Sequence, residues 1–180
     1  RDVIARDVAT YVMNESFNEA MSILLKNRFV IISGIPGIGK TTLARMLVCK
    51  LLGEDYEEAI RVFTMDDAAE KLTEGKRQVF FFDDFLGANY FHVTEDGFES
   101  KVLRFIDAIR RKPDKLFILS TREYILKSAM RLYEHFDLGN IELAKCTIDL
   151  EDYTEDVRAH ILYNHLAEAE ISADYIRQLL

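Results

Sequence analysis

Cysteine is scarce in this chain, and the two present, Cys49 and Cys146, stand far apart in apolar stretches. That spacing argues against a disulfide framework or a cysteine-based zinc site and leaves two buried free thiols as the expectation. Histidine offers no metal pair either. His160 and His165 are five residues apart, on different faces of a helix rather than in the i, i+4 arrangement that grips zinc, so surface or interface positions are expected for them. No apolar run approaches the roughly 18 residues that a membrane span needs. The N-terminus also lacks the charged-then-apolar pattern of a secretory signal, and a cytoplasmic location is expected. Positive charge is in deficit, with 23 Lys and Arg against 31 Asp and Glu and a formal net charge of −8. Such a domain as a whole repels a phosphate backbone, so nucleic acid is not expected to bind through it. The basic strip Arg110-Arg111-Lys112 reads as a solvated helix end that complements the helix dipole.

What is present suits a soluble globular protein: 180 residues, 49% hydrophobic and 30% charged, enough for one domain with a sizeable core plus a fragment. The chain begins at Arg1 and ends at Leu180 inside an apolar helical pattern without a Gly or Pro stop, which reads as a piece of a longer protein. Internal repeats and low-complexity tracts are not visible.

The most specific signal is Gly34-Ile-Pro-Gly-Ile-Gly-Lys-Thr-Thr42, a full match to the phosphate-loop pattern G-x-x-x-x-G-K-[ST], directly after the apolar run Phe29 to Ser33. Gly34, Gly37 and Gly39 let the backbone curl around phosphate oxygens from Gly34 through Pro36 and Ile38 into Thr42, with the available N–H groups pointing inward. Lys40 reaches the β- and γ-phosphates. Thr41 offers a hydroxyl to Mg²⁺, and the helix that begins there turns its positive end toward the anion.

Around this loop the pattern alternates. Phe17, Ala20, Met21, Leu24 and Leu25 repeat with helical spacing between Ser16 and Leu25. Thr42 to Leu52 reads as a helix stopped by Gly53, and Glu54 to Glu58 as an exposed loop. Ile60 to Phe63 reads as a short strand. Thr64 caps a helix with Asp66 and Asp67 in its first turn, ended by Gly75. Val79 to Phe82 and Leu116 to Leu119 are continuous apolar runs, as in central parallel strands covered on both faces. Between them, Val102, Leu103, Phe105, Ile106 and Ile109 share one face of a helix closed by Pro113. Helices around Arg122 to Phe136, a strand at Cys146 to Asp149 and a helical tail carrying Val157, Ile161, Leu162 and Leu166 complete the pattern. Tyr153, Tyr163 and Tyr175 are expected to pack tail helices together.

Alternating strands and helices predict a parallel sheet with helices on both faces and a ligand at the carboxyl ends of the strands. Three motifs fall there: Gly34 to Thr42, Asp83-Asp84 and Thr121-Arg122. Phosphoryl transfer needs held charge, a metal bridging phosphate oxygens and a group that orients the attacking water. Asp83 is the candidate Mg²⁺ partner beside Thr41, and Asp84 the candidate base. Arg122 either reaches the γ-phosphate or pairs with Glu123. Asp84-Phe-Leu-Gly87 fits the D-x-x-G element of GTPases, but no N-K-x-D stretch reads guanine, so ATP or ADP is favoured.

With Gly-Ile-Pro-Gly-Ile-Gly-Lys-Thr-Thr-Leu-Ala-Arg, Phe-Phe-Phe-Asp-Asp-Phe-Leu-Gly, Ile-Leu-Ser-Thr-Arg-Glu-Tyr-Ile-Leu and Ile-Leu-Tyr-Asn-His-Leu in this order, the chain resembles the STAND NTPases, and among them the novel STAND type-three family, from roughly Thr10 to Leu166. The resemblance implies a P-loop NTPase three-layer α/β/α sandwich with a mainly parallel five-stranded sheet of the ASCE or AAA-like kind, over residues 1–150 with an N-terminal helical lead-in. Residues 151–180 would then begin a helical lid domain. It also implies that Asp83 and Asp84 are the Walker B acids and Arg122 the sensor arginine. Lys40, Asp84 and Arg122 become the catalytic set. The implied role is an ATP-dependent switch with slow or conditional hydrolysis, in antiviral defence or innate immune signalling. Such a switch forms homo-oligomers on activation and drives effector and sensor domains elsewhere in the protein. In relatives a later lid proline touches the adenine; here only Pro36 and Pro113 exist. A nucleic-acid loader or motor of the AAA+ kind is the alternative, and a degenerate scaffold a third.

Overall fold

The computed structural model describes residues 2–83, 98–122, 145–148 and 153–171. Helices α1 (Asp2–Thr10) and α2 (Glu15–Asn27) precede strand β1 (Phe29–Gly34). They are followed by α3 (Lys40–Glu54), β2 (Glu58–Arg61), α4 (Met65–Glu70), β3 (Gln78–Phe82), α5 (Phe98–Arg110), β4 (Lys115–Ser120), β5 (Lys145–Ile148) and α6 (Glu155–Glu168). The strands form one sheet in the order β2-β3-β4-β1-β5, and every pairing is parallel. From β1 the chain crosses to the far edge at β2 and steps back through β3 and β4, so β4 lies between β1 and β3.

Parallel strands need both faces covered, and the side-chain alternation shows how this is met. Phe29 and Ile31 of β1, Phe80 and Phe82 of β3 and Phe117 and Leu119 of β4 join α4 and α5 in one core. Val30, Ile32, Val79, Phe81, Leu116 and Ile118 point the other way, into a second core with α2 and α3. The result is the three-layer α/β/α sandwich expected from the sequence. On the α5 side Phe105, 4% exposed, meets Phe80 and Phe117 edge-on, with ring centroids 5.2 and 5.0 Å away. Such tilted contacts add to the area each ring buries.

The boundaries differ from the sequence reading in instructive ways. Asn14 caps α2, its side chain accepting from the Phe17 N–H, and Arg28 closes it in a left-handed conformation. Helix α3 runs through Gly53 and stops at Asp55. Helix α4 has the expected Thr64 cap but ends at Glu70 rather than at Gly75, which sits at φ +75 in the turn before β3. Tyr56, read as part of an exposed loop, is 7% exposed, with the Arg77 guanidinium 4.7 Å over its ring. Cys49 is free but only half-buried. Burial, and secondarily the charge of Asp7, raises its pKa. Leu162 is exposed rather than packed. The helices expected around Arg122 to Phe136 lie, beyond Arg122 itself, outside the described residues, as does Tyr175. No helix among the described residues is long and apolar enough to cross a membrane.

Two polar side chains are fully buried where β3 and β4 begin. Gln78 donates to Glu58 Oε2 at 2.9 Å and to the Lys71 carbonyl at 3.1 Å, and it accepts from the Thr73 N–H at 2.9 Å. Lys115, 1% exposed, donates to Asp114 Oδ2 and to the Lys76 carbonyl. The hydrogen bond from Lys115 is the main reason that the Asp114 carboxyl sits below its ordinary pKa.

Two outcomes follow from this packing. Phe105→Ala should destabilise the protein by about 3–5 kcal/mol in urea unfolding, because it empties the contact between β3, β4 and α5. Asp114 has a depressed folded-state pKa, so its contribution is present above the unfolded carboxylate pKa and is lost as pH falls through the folded one. The urea midpoint of Asp114→Asn should therefore lie below wild type at neutral pH and converge with it in acid, below the ordinary carboxylate range.

Candidate functional site

β1 is buried along its whole length and delivers the loop after Gly34 to the carboxyl edge of the sheet. Ile35, Pro36 and Gly37 are exposed, and Ile38 turns back into the core. Gly37 and Gly39 have φ of +81 and +99, values that side chains rarely tolerate. A Cβ on Gly39 would also come within 3.0 Å of the Tyr153 hydroxyl. The Lys40 ammonium spans the loop, donating to the Ile35 carbonyl at 2.8 Å. Gly39 is the N-cap of α3, and the Leu43 N–H donates to its carbonyl at 2.9 Å. The first N–H groups of α3 have no acceptor within the helix. They present a positive end to whatever lies in the loop, and no acidic residue occupies the first turn to neutralise it.

Strand order explains what faces that end. Ile32 of β1 is level with Ser120 of β4, and Leu119 of β4 with Phe82 of β3. Asp83, the residue after Phe82, is thus brought beside Ser120 and within reach of α3. Asp83 Oδ1 accepts from Thr41 Oγ1 at 2.8 Å and from Ser120 Oγ at 2.8 Å. Thr41 and Asp83, proposed from sequence as a metal pair, are therefore adjacent. Ser120 is a member of the cluster that sequence reasoning missed; its position at the end of an apolar run beside Arg122 was the available signal.

Thr121 donates its N–H to the Ile32 carbonyl at 2.9 Å, and its hydroxyl, fully buried, has no hydrogen-bond partner among the described residues. Half-buried Arg122 follows at the same strand end. Asp84 and Glu123 lie outside the described residues.

A hydroxyl and a carboxylate are hard oxygen donors, and Mg²⁺ is commonly held by one or two carboxylates, with phosphate oxygens and water completing its shell. The Thr41 and Asp83 pair suits that ion, as the glycine loop suits phosphate. No group of three or more His, Cys, Asp or Glu placed to hold a metal by themselves occurs among the described residues.

Beside the loop lies a cavity of about 260 Å³, absent from the sequence reading. Its walls include Tyr11 and Asn14 from the segment between α1 and α2, Gly37 and Gly39 from the loop, and Ile161 and His165 from α6. Three polar contacts frame it. Arg45 pairs with Asp7 at 2.7 Å, Asn164 donates to the Thr10 carbonyl at 3.5 Å, and Tyr153 Oη donates to the Ile38 carbonyl at 2.6 Å. Tyr153 therefore touches the loop itself, which corrects the expectation that it only packs tail helices together. Tyr163 is 49% exposed, and His160 and His165 are exposed as expected.

Comparison with known proteins agrees with this architecture. No curated protein matches the sequence. Among solved structures the chain is similar to domain III from the Thermotoga maritima replication initiation protein DnaA, at 17% identity and a TM-score of 0.59, over 89% of this chain and 73% of that one. It is also similar to AMPPCP-bound DnaA from Aquifex aeolicus, at 18% identity and a TM-score of 0.56, over 94% and 58% of the two chains. The Thermotoga maritima RuvB Holliday junction branch migration motor matches at 21% identity and a TM-score of 0.53, over 89% of this chain and 53% of that one. The chain thus spans about half the length of the RuvB chain, and at these identities the likeness is one of fold. The family description Novel STAND NTPase 3 matches residues 11–168, from the wall of the cavity through the loop, Asp83 and Arg122 into α6. The chain belongs to the Novel STAND NTPase 3 family.

Proposed function

We propose that this chain is the ATP-binding switch domain of a STAND-type signalling or antiviral defence protein, hydrolysing slowly or conditionally and coupling trigger sensing to oligomerisation and effector activation. The observation that carries the reading is the 2.8 Å contact between Thr41 Oγ1 and Asp83 Oδ1, which joins the phosphate loop to the acid that follows β3. A coincidental Gly-rich turn has no reason to place its hydroxyl on that carboxylate.

In this reading Gly34 to Thr42 surround the β- and γ-phosphates with backbone N–H groups, and Lys40 exchanges the Ile35 carbonyl for phosphate oxygens. Thr41 and Asp83 would hold Mg²⁺, which would supply neutralisation of the charge that builds up in phosphoryl transfer. The bond from Ser120 would keep the Asp83 carboxylate oriented toward such an ion. Asp84 orients or deprotonates the water, and Arg122 registers the γ-phosphate from the end of β4. The cavity between the Thr10–Asn14 segment, the loop and α6 adjoins the phosphate site and takes the nucleoside, with residues 151–180 beginning a helical lid. Effector and sensor domains, the oligomer and a cytoplasmic setting belong to the same proposal. A nucleic-acid motor fits less well, because a net charge of −8 opposes a phosphate backbone.

Calorimetry with Mg·ATP and Mg·ADP tests the reading. Wild type should bind both, and Lys40→Ala should weaken binding by about 100-fold or more, as loss of a charge-assisted phosphate contact implies. Asp84→Asn should leave affinity within a few fold and slow turnover by about 10²–10⁴. Ser120→Ala should raise the Mg²⁺ concentration needed for half-maximal turnover while leaving the melting temperature near wild type. Absence of nucleotide binding by wild type would overturn the proposal, and strong stimulation of turnover by DNA would favour the motor.

A further inference from the structure

The Tyr153 hydroxyl bonds across 115 residues to a carbonyl inside the phosphate loop. The acceptor, Ile38 O, belongs to the peptide group whose N–H is that of Gly39. A trans peptide is planar, and its C=O and N–H point in opposite directions. A group that grips the carbonyl on one side therefore aims the N–H to the other.

This control matters because Gly39 has no side chain to fix its backbone. It stands at φ +99, and glycine adopts positive and negative φ about equally readily. Rotation of the Ile38–Gly39 peptide is thus opposed by little within the residue itself. The phenol opposes it: Tyr153 is half-buried against the α2 and α3 core, and its oxygen lies 2.6 Å from Ile38 O. The same oxygen stands 3.0 Å from where a Gly39 Cβ would be, so phenol and loop are in close contact.

We propose that Tyr153 is a positioning residue for the nucleotide phosphates: by holding the Ile38 carbonyl outward it keeps the Gly39 N–H turned into the phosphate loop. The inference rests on the nucleotide site proposed above and adds to it a residue outside every motif of that site. Tyr153 also lines the cavity assigned to the nucleoside, so a direct contact with base or ribose is the competing role. The two roles separate by the ligand they affect. Positioning acts on the phosphates whatever they are attached to, whereas a nucleoside contact is not felt by inorganic pyrophosphate.

Tyr153→Phe removes the hydroxyl and keeps the ring, so the ligand-free melting temperature should remain close to wild type. Affinity for Mg·ADP and for inorganic pyrophosphate, the latter read by displacement of a fluorescent ADP, should fall by a similar factor of about 3–10, the size expected for one neutral hydrogen bond. In ligand-free protein the Gly39 amide resonance should shift or broaden, a signature that altered helix packing alone would not give. Unchanged ADP affinity, or a loss for ADP with pyrophosphate unaffected, would overturn the proposal while leaving the nucleotide site standing. Failure of wild type to bind ADP at all would overturn both.

Discussion

Asp83 Oδ1 accepts two hydrogens, one from Thr41 at the start of α3 and one from Ser120 at the end of β4, and this shared oxygen ties together three segments that the chain visits at separate times. Its position follows from strand order. Because β4 lies between β1 and β3, a carboxylate after β3 faces the loop after β1 across the end of β4. Had β3 paired directly with β1, Ser120 would have no place in the cluster. The site is therefore a consequence of the order in which the sheet is assembled as much as of the residues that line it.

That order is held by packing on both faces. Phe80 and Phe117 meet Phe105 edge-on on one side, while Val79, Leu116 and Ile118 meet α2 and α3 on the other. Each buried aromatic or branched side chain contributes roughly 1.5–3 kcal/mol over exposure, so the sheet ends are fixed by terms much larger than any one hydrogen bond at the site. Buried polar groups at the opposite ends of β3 and β4 are satisfied rather than excluded: Gln78 by three partners, Lys115 by Asp114 and a backbone carbonyl. These bonds fix where the two strands begin, and hence the register that brings Asp83 and Ser120 level.

The central strands were legible because runs such as Val79 to Phe82 and Leu116 to Leu119 have one physical explanation, burial on both faces of a parallel sheet. The phosphate loop was legible because its glycines, lysine and hydroxyl stand together in sequence. Less local features were not. Periodicity assigns a face to a residue but no neighbour to a strand, so the position of β4 between β1 and β3, and with it the contact of Ser120 with Asp83, did not follow from the pattern. Lys115 fell outside the apolar run read as a strand, because a buried lysine is explained only by its partners. Gly53 looked like a stop, yet a glycine in a helix costs only about 1 kcal/mol relative to alanine, and the contacts of Leu47 and Leu51 carry α3 past it. Tyr153 gave no signal, since nothing near it in sequence shows that its hydroxyl meets Ile38.

The contacts that frame the cavity are of another order from those that hold the sheet. Helix α6 has no buried residue; it rests on half-buried Val157, Ile161, Asn164 and Leu166 and on the bond from Asn164 to Thr10. The Arg45–Asp7 pair is partly exposed, and such pairs contribute about 0–1 kcal/mol. Among the described residues, these contacts are weak beside those that hold the sheet. The frame can open without disturbing β1, β3 or β4, as segments that gate a site characteristically do. Tyr153 stands at the junction, packed on the rigid core, bonded to the loop and joined through Thr154 to the start of α6. A displacement of α6 that draws this phenol away must release the Ile38 carbonyl, so this lightly packed helix and the geometry of the phosphate loop are linked through one hydroxyl. By linkage the dependence runs both ways: whatever favours the gripped loop also favours α6 in place.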